Sequence, residues 1–188
     1  MNEYEFTEED WHSRHVPVWQ RFLEHLSKDP IDYCEIGSFE GRSAIWMLEN
    51  ILTHDRSLAT LIDSFEKNGK QDFELEQRFA KNILPWMSKV QVKRSDSFSA
   101  LTNLYASGQS FDVVYVDGSH KARNVLEDVV LSWRMLRPGG IMICDDLIWM
   151  GSDILHERPE MALKAFLEIY GPELVILDKG VQLIVRKI

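Results

Sequence analysis

The most constraining feature of the sequence is an alternation of short apolar runs with longer segments of helical periodicity, which begins at residue 31. The short runs are rich in β-branched residues, and several are followed directly by Gly, Ser or Asp. This alternation is typical of a parallel sheet wrapped by helices. The sequence therefore predicts an α/β fold, doubly wound around a mostly parallel, seven-stranded sheet.

Five of the strands are predicted at Ile31–Ile36, Leu58–Asp63, Val90–Lys93, Phe111–Val116 and Gly140–Cys144. Helices are predicted at Gly41–Leu52, Asp72–Leu84, Phe98–Ala106, Ala122–Leu136 and Pro159–Tyr170. The last two strands, Leu174–Leu177 and Val181–Arg186, flank a turn at 178–180 and predict a C-terminal antiparallel hairpin. Apolar spacing in residues 1–30 predicts a helical segment packed on the domain or over its site. No repeat or linker divides the chain, so we expect one domain over residues 1–188.

Charge and composition narrow the possible partners. Thirty acidic against 21 basic side chains give a net charge of -9, which argues against binding to nucleic acid or to acidic membranes. The N-terminus is acidic, unlike a signal peptide, and no apolar run approaches the ~18 residues of a membrane span. We therefore expect a cytoplasmic protein. Its two cysteines, Cys34 and Cys144, are expected to be reduced core residues too far apart for a disulfide.

A glycine-containing turn follows the first predicted strand. Tyr33-Cys-Glu-Ile-Gly-Ser-Phe-Glu-Gly-Arg-Ser43 runs from strand to helix through Gly37 and Gly41. Gly37 would allow a ligand to approach the backbone, and Gly41 would let the helix pack close to the strand. The spacing is G-x-x-x-G, whereas dinucleotide-binding turns have G-x-G-x-x-G. Taken alone, the turn is equally consistent with a purely structural role.

Polar residues also follow the next two strands. Asp63 ends the second strand, 26 residues after Gly37, where a carboxylate can accept both hydroxyls of a ribose. Ser95-Asp96-Ser97 follows the third strand, where an adenine amino group could bind. Asp and Ser are also common helix N-caps, and Ser97 before Phe98 is the expected cap.

Four segments together resemble the Rossmann-like S-adenosylmethionine-dependent methyltransferases, in particular the catechol-type and antibiotic-sugar O-methyltransferase branch. The segments are Glu35-Ile-Gly-Ser-Phe-Glu-Gly-Arg-Ser43, Leu61-Ile-Asp-Ser-Phe65, Asp112-Val-Val-Tyr-Val-Asp-Gly-Ser-His120 and Leu136-Arg-Pro-Gly-Gly-Ile-Met-Ile-Cys-Asp-Asp146. They occur in the family's order, and the resemblance covers residues 31–149. The chain departs from the branch at Ser119, where an acidic residue is common, and at Ala122, where an aromatic residue is common.

The resemblance implies S-adenosylmethionine as cofactor and assigns residues to it. Asp63 takes the ribose, and Asp96 with Ser97 lies near the adenine. By the same resemblance, Glu35, Gly37, Ser38 and Gly41 line the methionine end of the cofactor. The further cofactor-binding residues that it implies are Ser43, Asp117 and His120.

Three carboxylates are expected to converge at one edge of the sheet. Asp117 ends the fourth strand, and Asp145 and Asp146 end the fifth. Such a cluster needs either a raised pKa or a cation, and hard oxygen ligands suit Mg²⁺, Mn²⁺ or Ca²⁺, of which we expect Mg²⁺. The same three positions resemble metal-binding carboxylates of the branch. The alternative is that Asp146 caps a loop and Asp145 alone faces the cofactor, with no metal.

His120 follows Asp117 by three residues and is a candidate proton acceptor, because imidazole titrates near neutral pH. Contact with the adenine and capping of the next helix are the alternatives. The other five histidines are expected to be solvated. Trp149 and Met150 could form a wall of the acceptor pocket.

These features favour a methyltransferase that methylates a hydroxyl of a small molecule with the help of a divalent metal. Asp117 and His120 are its candidate catalytic residues, and a homodimer is left open. The alternatives are a metal-independent small-molecule N-methyltransferase, a nicotinamide-dependent oxidoreductase and a non-catalytic Rossmann-like module.

Overall fold

A computed structural model of the chain describes residues 4–7, 10–67 and 69–188. The strands are β1 Asp32–Ile36, β2 Leu58–Asp63, β3 Glu66–Lys67, β4 Lys70–Gln71, β5 Val90–Arg94, β6 Phe111–Val116, β7 Leu136–Cys144, β8 Leu174–Lys179 and β9 Leu183–Lys187. The α-helices are α1 Val16–Leu23, α2 Arg42–Asn50, α3 Phe73–Ile83, α4 Ser97–Ala106, α5 Ala122–Met135 and α6 Pro159–Tyr170. Short 3₁₀ turns adjoin several of these helices.

The large sheet has seven strands in the order β5-β2-β1-β6-β7-β9-β8. The first five strands in this order are parallel, whereas β9 runs antiparallel to both β7 and β8. The predicted doubly wound, mostly parallel sheet with a C-terminal antiparallel hairpin is thus confirmed. The chain builds outward from β1 and then returns to β6, so the strand order reverses between β1 and β6. Ligands of open α/β sheets bind at such a point, beyond the carboxyl ends of the strands.

Two apolar layers sandwich the sheet. Helices α1, α2 and α3 cover one face, where Trp19 and Leu23 of α1 are fully buried. Helices α4, α5 and α6 cover the other face, with Val129 and Trp133 of α5 in the core. These two α5 residues lie four positions apart, which places them on one side of the helix. The periodicity that predicts the helices is therefore the same pattern that buries them.

Some boundaries differ from the sequence prediction. Strand β7 begins at Leu136 and not at Gly140, and its pairing with β6 shifts register between Phe111 and Val113. Gly140 accommodates this irregularity, because a Cβ there would lie 2.9 Å from the carbonyl oxygen of Asp112. The small hairpin of β3 and β4 was not predicted, since its residues are polar and too few to show an alternation.

The expected separation of the two cysteines agrees with the observed strand order. Cys34 on β1 and Cys144 on β7 lie on either side of β6, and both are buried free thiols. In the part of the chain that the structure describes, no helix is long and apolar enough to cross a membrane.

Residues 4–7 and 10–15, here called the N-terminal segment, lie against α2, α3 and the turn that precedes α2. The Thr7 hydroxyl donates to Glu40 at 2.6 Å, and the backbone N–H of Glu5 donates to Asn82 at 2.7 Å. Arg42 contacts Asp10 at 3.3 Å. This segment is held to the domain by polar contacts as well as by the buried side chains of α1.

Candidate active site

A cavity of about 620 Å³ opens at the carboxyl ends of the parallel strands, where the strand order reverses. Nine predicted site residues line it: Gly37, Ser38, Ser43, Asp63, Asp96, Ser97, Asp117, His120 and Asp145. The lining does not include Glu35, Gly41 or Asp146, which lie behind or beside it.

The two glycines of the first turn are both required, but for other contacts than the sequence suggests. Gly37 has φ +85°, and a Cβ there would lie 2.0 Å from the carbonyl oxygen of Asp117. Gly41 also has φ +85°, and a Cβ there would lie 3.3 Å from the Ile83 side chain of α3. Gly37 therefore permits the close approach of the neighbouring strand end, and Gly41 permits packing against a helix and not against a strand.

Glu35 lies beneath the turn, fully buried. Its carboxylate accepts hydrogen bonds from the Tyr33 hydroxyl at 2.5 Å and from Ser43 Oγ at 2.8 Å. Burial raises the pKa of Glu35 to about 7, although both hydroxyls oppose the shift. Glu35 thus positions Ser43, which does line the cavity.

Asp63 is held rigidly at the edge of the cavity. Its two oxygens accept hydrogen bonds from the backbone N–H groups of Phe39, at 2.8 Å, and Phe65, at 2.6 Å. Both phenylalanines have positive φ, 48° and 52°, so two strained turns meet at this carboxylate. Burial raises the pKa of Asp63. A carboxylate oxygen can accept more than one hydrogen bond, so Asp63 retains capacity for a ligand hydroxyl.

Asp96, and not Ser97, caps helix α4. The Asp96 carboxylate accepts a hydrogen bond from the backbone N–H of Ser99 at 2.8 Å, which keeps the pKa of Asp96 below its usual value. The expectation that Ser97 is the cap is wrong, because α4 begins one residue earlier, at Ser97 itself. Both side chains still reach the cavity.

The carboxylates at the other end of the cavity are linked by a tyrosine. The Tyr115 hydroxyl lies 2.8 Å from Asp117 Oδ2 and 2.6 Å from Asp145 Oδ2. A phenol has one proton and can donate to only one of these oxygens, so the second contact requires a protonated carboxyl. Burial and the neighbouring Asp145 and Asp146 raise the pKa of Asp117 well above its ordinary value. These effects favour the protonated form of Asp117 when no cation is bound.

Asp145 also connects this cluster to two distant parts of the chain. The Gln182 side-chain amide donates to Asp145 Oδ2 at 2.9 Å, and the Trp19 indole N–H donates to the Gln182 carbonyl at 2.8 Å. The second Asp145 oxygen accepts the backbone N–H of Asp146 at 2.8 Å. Both oxygens of Asp145 are thus engaged within the protein.

His120 pairs with Asp146. Its Nε2 lies 2.8 Å from Asp146 Oδ2, and this hydrogen bond raises the pKa of His120. The imidazole also stacks on Trp149, with ring centroids 5.0 Å apart. Asp146 itself adopts φ 62°, an uncommon conformation for a residue with a side chain. At the start of α5, the side-chain hydrogen bond comes from Ser119 and not from His120: Ser119 Oγ accepts from the backbone N–H of Lys121.

Three of these side chains could share one metal ion. Donor atoms of Asp117, His120 and Asp146 lie within 4.8 Å of one another. Of the predicted trio Asp117, Asp145 and Asp146, the structure groups the first and last with His120, while Asp145 is occupied by Tyr115 and Gln182.

Sequence reasoning missed several residues of the site. Tyr115 could have been found, because it precedes Asp117 by two positions and strand alternation places both on one face. Gln182 gave no signal beyond its place near a turn. The expectation that all histidines except His120 are solvated is wrong for His12 and His15, which are 8% and 7% exposed.

The sheet order, with antiparallel β9 inserted between β7 and β8, separates this fold from the dinucleotide-binding enzymes that share its parallel strands. Together with a G-x-x-x-G turn and Asp63 at the cavity, it places the chain in the class of proteins with the Rossmann-like methyltransferase fold. Within that class, the chain belongs to a family described as a methyltransferase domain, whose model matches residues 34–147.

Individual relatives are distant. The uncharacterized protein R132 of Acanthamoeba polyphaga mimivirus is 24% identical over 135 residues, which cover 70% of this chain and 58% of that protein. The O-methyltransferase from Bacillus cereus, solved in complex with SAH, has a TM-score of 0.71 at 16% identity and is matched over 82% of its length by 95% of this chain. MycE from the mycinamycin biosynthetic pathway, solved with Mg, SAH and mycinamycin VI, has a TM-score of 0.68 at 15% identity. The alignment covers 95% of this chain but 50% of MycE, so the chain spans only about half the length of some relatives.

Proposed function

We propose that the chain transfers a methyl group from S-adenosylmethionine to a hydroxyl of a small molecule, with the assistance of a divalent metal ion. The observation that carries this proposal is the grouping of Asp117, His120 and Asp146 at one end of the cavity. Two structural neighbours, the O-methyltransferase from Bacillus cereus solved with SAH and MycE solved with Mg and SAH, support the same chemistry.

The residues present fit the cofactor. Asp63 is fixed by two backbone N–H groups and can still accept hydroxyl protons, and Ser38 and Ser97 line the same cavity. S-adenosylmethionine supplies an electrophilic methyl group when it is bound. The protein's part is to hold the nucleoside at Asp63 and Ser97, so that the carboxylate end of the cavity stays free for the acceptor.

The donor set also fits a divalent ion. Without a counter-charge, desolvation of the half-buried Asp117, together with the nearby Asp145 and Asp146, raises the pKa of Asp117. Carboxylates suit Mg²⁺, and the addition of an imidazole suits Mn²⁺ as well. A bound ion would lower the pKa of an acceptor hydroxyl. Tyr115 and Gln182 hold Asp145 in place beside this site.

His120 has two possible parts in this chemistry. As a metal ligand it completes the set with Asp117 and Asp146. As a proton acceptor it is oriented by its hydrogen bond to Asp146, while its partly exposed ring faces the cavity. Replacement by alanine separates the two, because a lost ligand weakens metal affinity whereas a lost base lowers turnover at unchanged metal affinity.

The test compares methyl transfer with cofactor binding in the presence of excess chelator. We expect chelation to stop turnover and to leave the affinity for SAH largely unchanged. The reason is that Asp63 and Ser97, which hold the nucleoside in this proposal, are not among the metal ligands. Asp146→Asn should weaken metal binding and reduce turnover, and Asp153→Asn, an equal change of charge at an exposed position, serves as control.

Full methyl transfer in excess chelator, with Asp146→Asn equal to the parent, would contradict the metal-assisted reaction. That result would favour the metal-independent N-methyltransferase, because amines need neither a metal ion nor a strong base to react.

A further inference from the structure

Helix α5 carries a line of polar side chains that begins at the cavity and continues into the core. Asn124, Asp128 and Ser132 are spaced four positions apart, which places them on one side of the helix. Asn124 lines the cavity, whereas Asp128 and Ser132 are 1% and 0% exposed. Polar groups at such depth need partners, so the contacts of this line decide what it does.

Asp128 has the most unsatisfied atoms of the line. Neither of its carboxyl oxygens has a hydrogen-bond partner in residues 4–7, 10–67 and 69–188, and Ser132 Oγ has none there either. Burying a carboxyl without a partner costs free energy, so Asp128 does not serve the stability of the fold. A buried group of this kind is a candidate for a role in binding or chemistry.

Asp128 lies directly behind two residues that line the cavity. A Cβ on Gly118, in the turn after β6, would lie 3.8 Å from Asp128 Oδ2. The Ser97 hydroxyl, at the start of α4, lowers the pKa of Asp128 and therefore faces its carboxyl, although the pair does not meet the geometry of a hydrogen bond. Gly118 and Ser97 both line the cavity. One residue thus separates Asp128 from a molecule bound there.

The surroundings of Asp128 let it exchange a proton near neutral pH. Burial raises its pKa to about 7. The charged groups that face it are Glu127 on α5 and Asp96 before α4, and both act in the same direction as burial. From the sheet, the thiols of Cys34 and Cys144 face it, and burial raises their own pKa values so that they stay neutral.

We propose that Asp128 is a positioning residue that directs the Ser97 hydroxyl towards the cavity. When Asp128 carries a proton, its O–H donates to Ser97 Oγ, and the Ser97 O–H is left to donate to an acceptor atom of the nucleoside. When Asp128 is ionised, its carboxylate accepts the single Ser97 proton, and the cavity loses that donor. This inference rests on the proposed function, and it adds that nucleoside binding favours protonated Asp128.

The affinity for SAH at different pH values tests this coupling. Calorimetric titrations in excess chelator, at pH 6 and at pH 8, exclude any effect of a metal ion. We expect the affinity of the parent to fall about fivefold between these values, which corresponds to the loss of one ordinary hydrogen bond. Repeating the titration near pH 7 in buffers of different ionisation enthalpy should show net uptake of a fraction of a proton from solvent on binding.

Two variants assign the effect to this pair. Asp128→Asn has no proton to exchange, and its amide can donate to Ser97 at every pH, so its affinity at pH 8 should equal that of the parent at pH 6. Ser97→Ala should bind about fivefold more weakly at pH 6, and adding Asp128→Asn to it should change nothing further. Glu168→Gln, at an exposed position on α6, is the control and should keep the profile of the parent.

Glu35 also has a pKa of about 7, but it is present in all of these proteins. The difference between the parent and Asp128→Asn therefore reports on Asp128. A purely structural Asp128 would change the free energy of unfolding in the variant and leave the pH dependence of SAH affinity as it is in the parent.

Equal pH profiles of the parent and Asp128→Asn overturn the inference, as does a Ser97→Ala protein in which Asp128→Asn still alters the profile. Either result leaves the proposed function intact, because SAH still binds. A parent that binds no SAH at either pH refutes the proposed cofactor and this inference together.

Discussion

At the scale of single residues, the contact between Gly37 and the backbone of Asp117 joins the turn after β1 to the carboxylate cluster. Gly37→Ala places a Cβ 2.0 Å from a carbonyl oxygen that cannot rotate away. We expect a loss of at least ~3 kcal/mol in the free energy of unfolding, measured by urea denaturation. Gly108→Ala is the control, because Gly108 has φ +75° but nothing within 4 Å of a Cβ, so it should lose only ~1 kcal/mol. Equal losses in the two variants would contradict the close approach.

Asp128 gives the free energy of unfolding a dependence on pH. It is 1% exposed on α5, and burial raises its pKa from 3.8 to about 7. The folded state therefore holds a proton that the unfolded state has released between these values, and stability falls as pH rises through that window. Asp128→Asn should remove this term, so it should gain on the order of 3 kcal/mol relative to the parent between pH 4 and pH 8.

Denaturation curves at both pH values measure the difference. Glu168→Gln, an exposed position on α6, is the control and should shift neither curve. A parent and an Asp128→Asn variant with parallel pH profiles would show that Asp128 is ionised in the folded protein.

The residues that could be predicted are those placed by strand ends. Asp63 and Asp117 follow apolar runs directly, so the sequence positions them at the cavity without any knowledge of packing. His12 could not be found this way, because its burial depends on ring contacts with Trp19 and Trp46. No local sequence pattern indicates these contacts. For the same reason, sequence alone could not show that Asp145 turns to Tyr115 and Gln182 while His120 joins Asp117 and Asp146.

At the scale of elements, the chain of hydrogen bonds through Gln182 ties helix α1 to the end of β7 by way of the β8–β9 turn. Gln182→Met keeps the length of the side chain but leaves the buried Trp19 N–H without its acceptor. We expect a loss of ~2 kcal/mol in the free energy of unfolding, measured by chemical denaturation. Gln20→Met, on the exposed side of α1, should be close to neutral. No difference between the two variants would mean that the chain contributes nothing to stability.

Elements with a clear apolar period were predictable to within a few residues, since the same period that forms a helix or strand also buries it. The exceptions are physical. The start of β7 contains Pro138-Gly139-Gly140, a sequence typical of a turn. Pairing with β6 nevertheless extends β7 through these residues as an irregular strand. The β3–β4 hairpin consists of two-residue strands that are too short for any periodicity.

At the scale of the whole molecule, the proposed cofactor should stabilise the folded state. The protein groups that would bind it follow several strands of one sheet, so they come together only when the sheet is folded. At a concentration of SAH near 100 times its dissociation constant, linkage gives ~2.7 kcal/mol, or roughly 5–10 °C in melting temperature for a chain of this size. NAD should give no shift, since the turn after β1 lacks G-x-G-x-x-G. Differential scanning calorimetry measures both, and a shift with NAD alone would point to the oxidoreductase alternative.

The hydrogen bond between Trp19 and Gln182 joins residues 163 positions apart, one before the first strand and one just before the last. A chain made from its N-terminus exposes Gly37, Asp63 and Ser97 early, whereas the partner that holds Asp145 arrives with the final hairpin. During synthesis the nucleoside side of the cavity is therefore encoded long before the carboxylate side can be assembled. A chain that ends before residue 182 therefore lacks the side chain that bonds both Trp19 and Asp145.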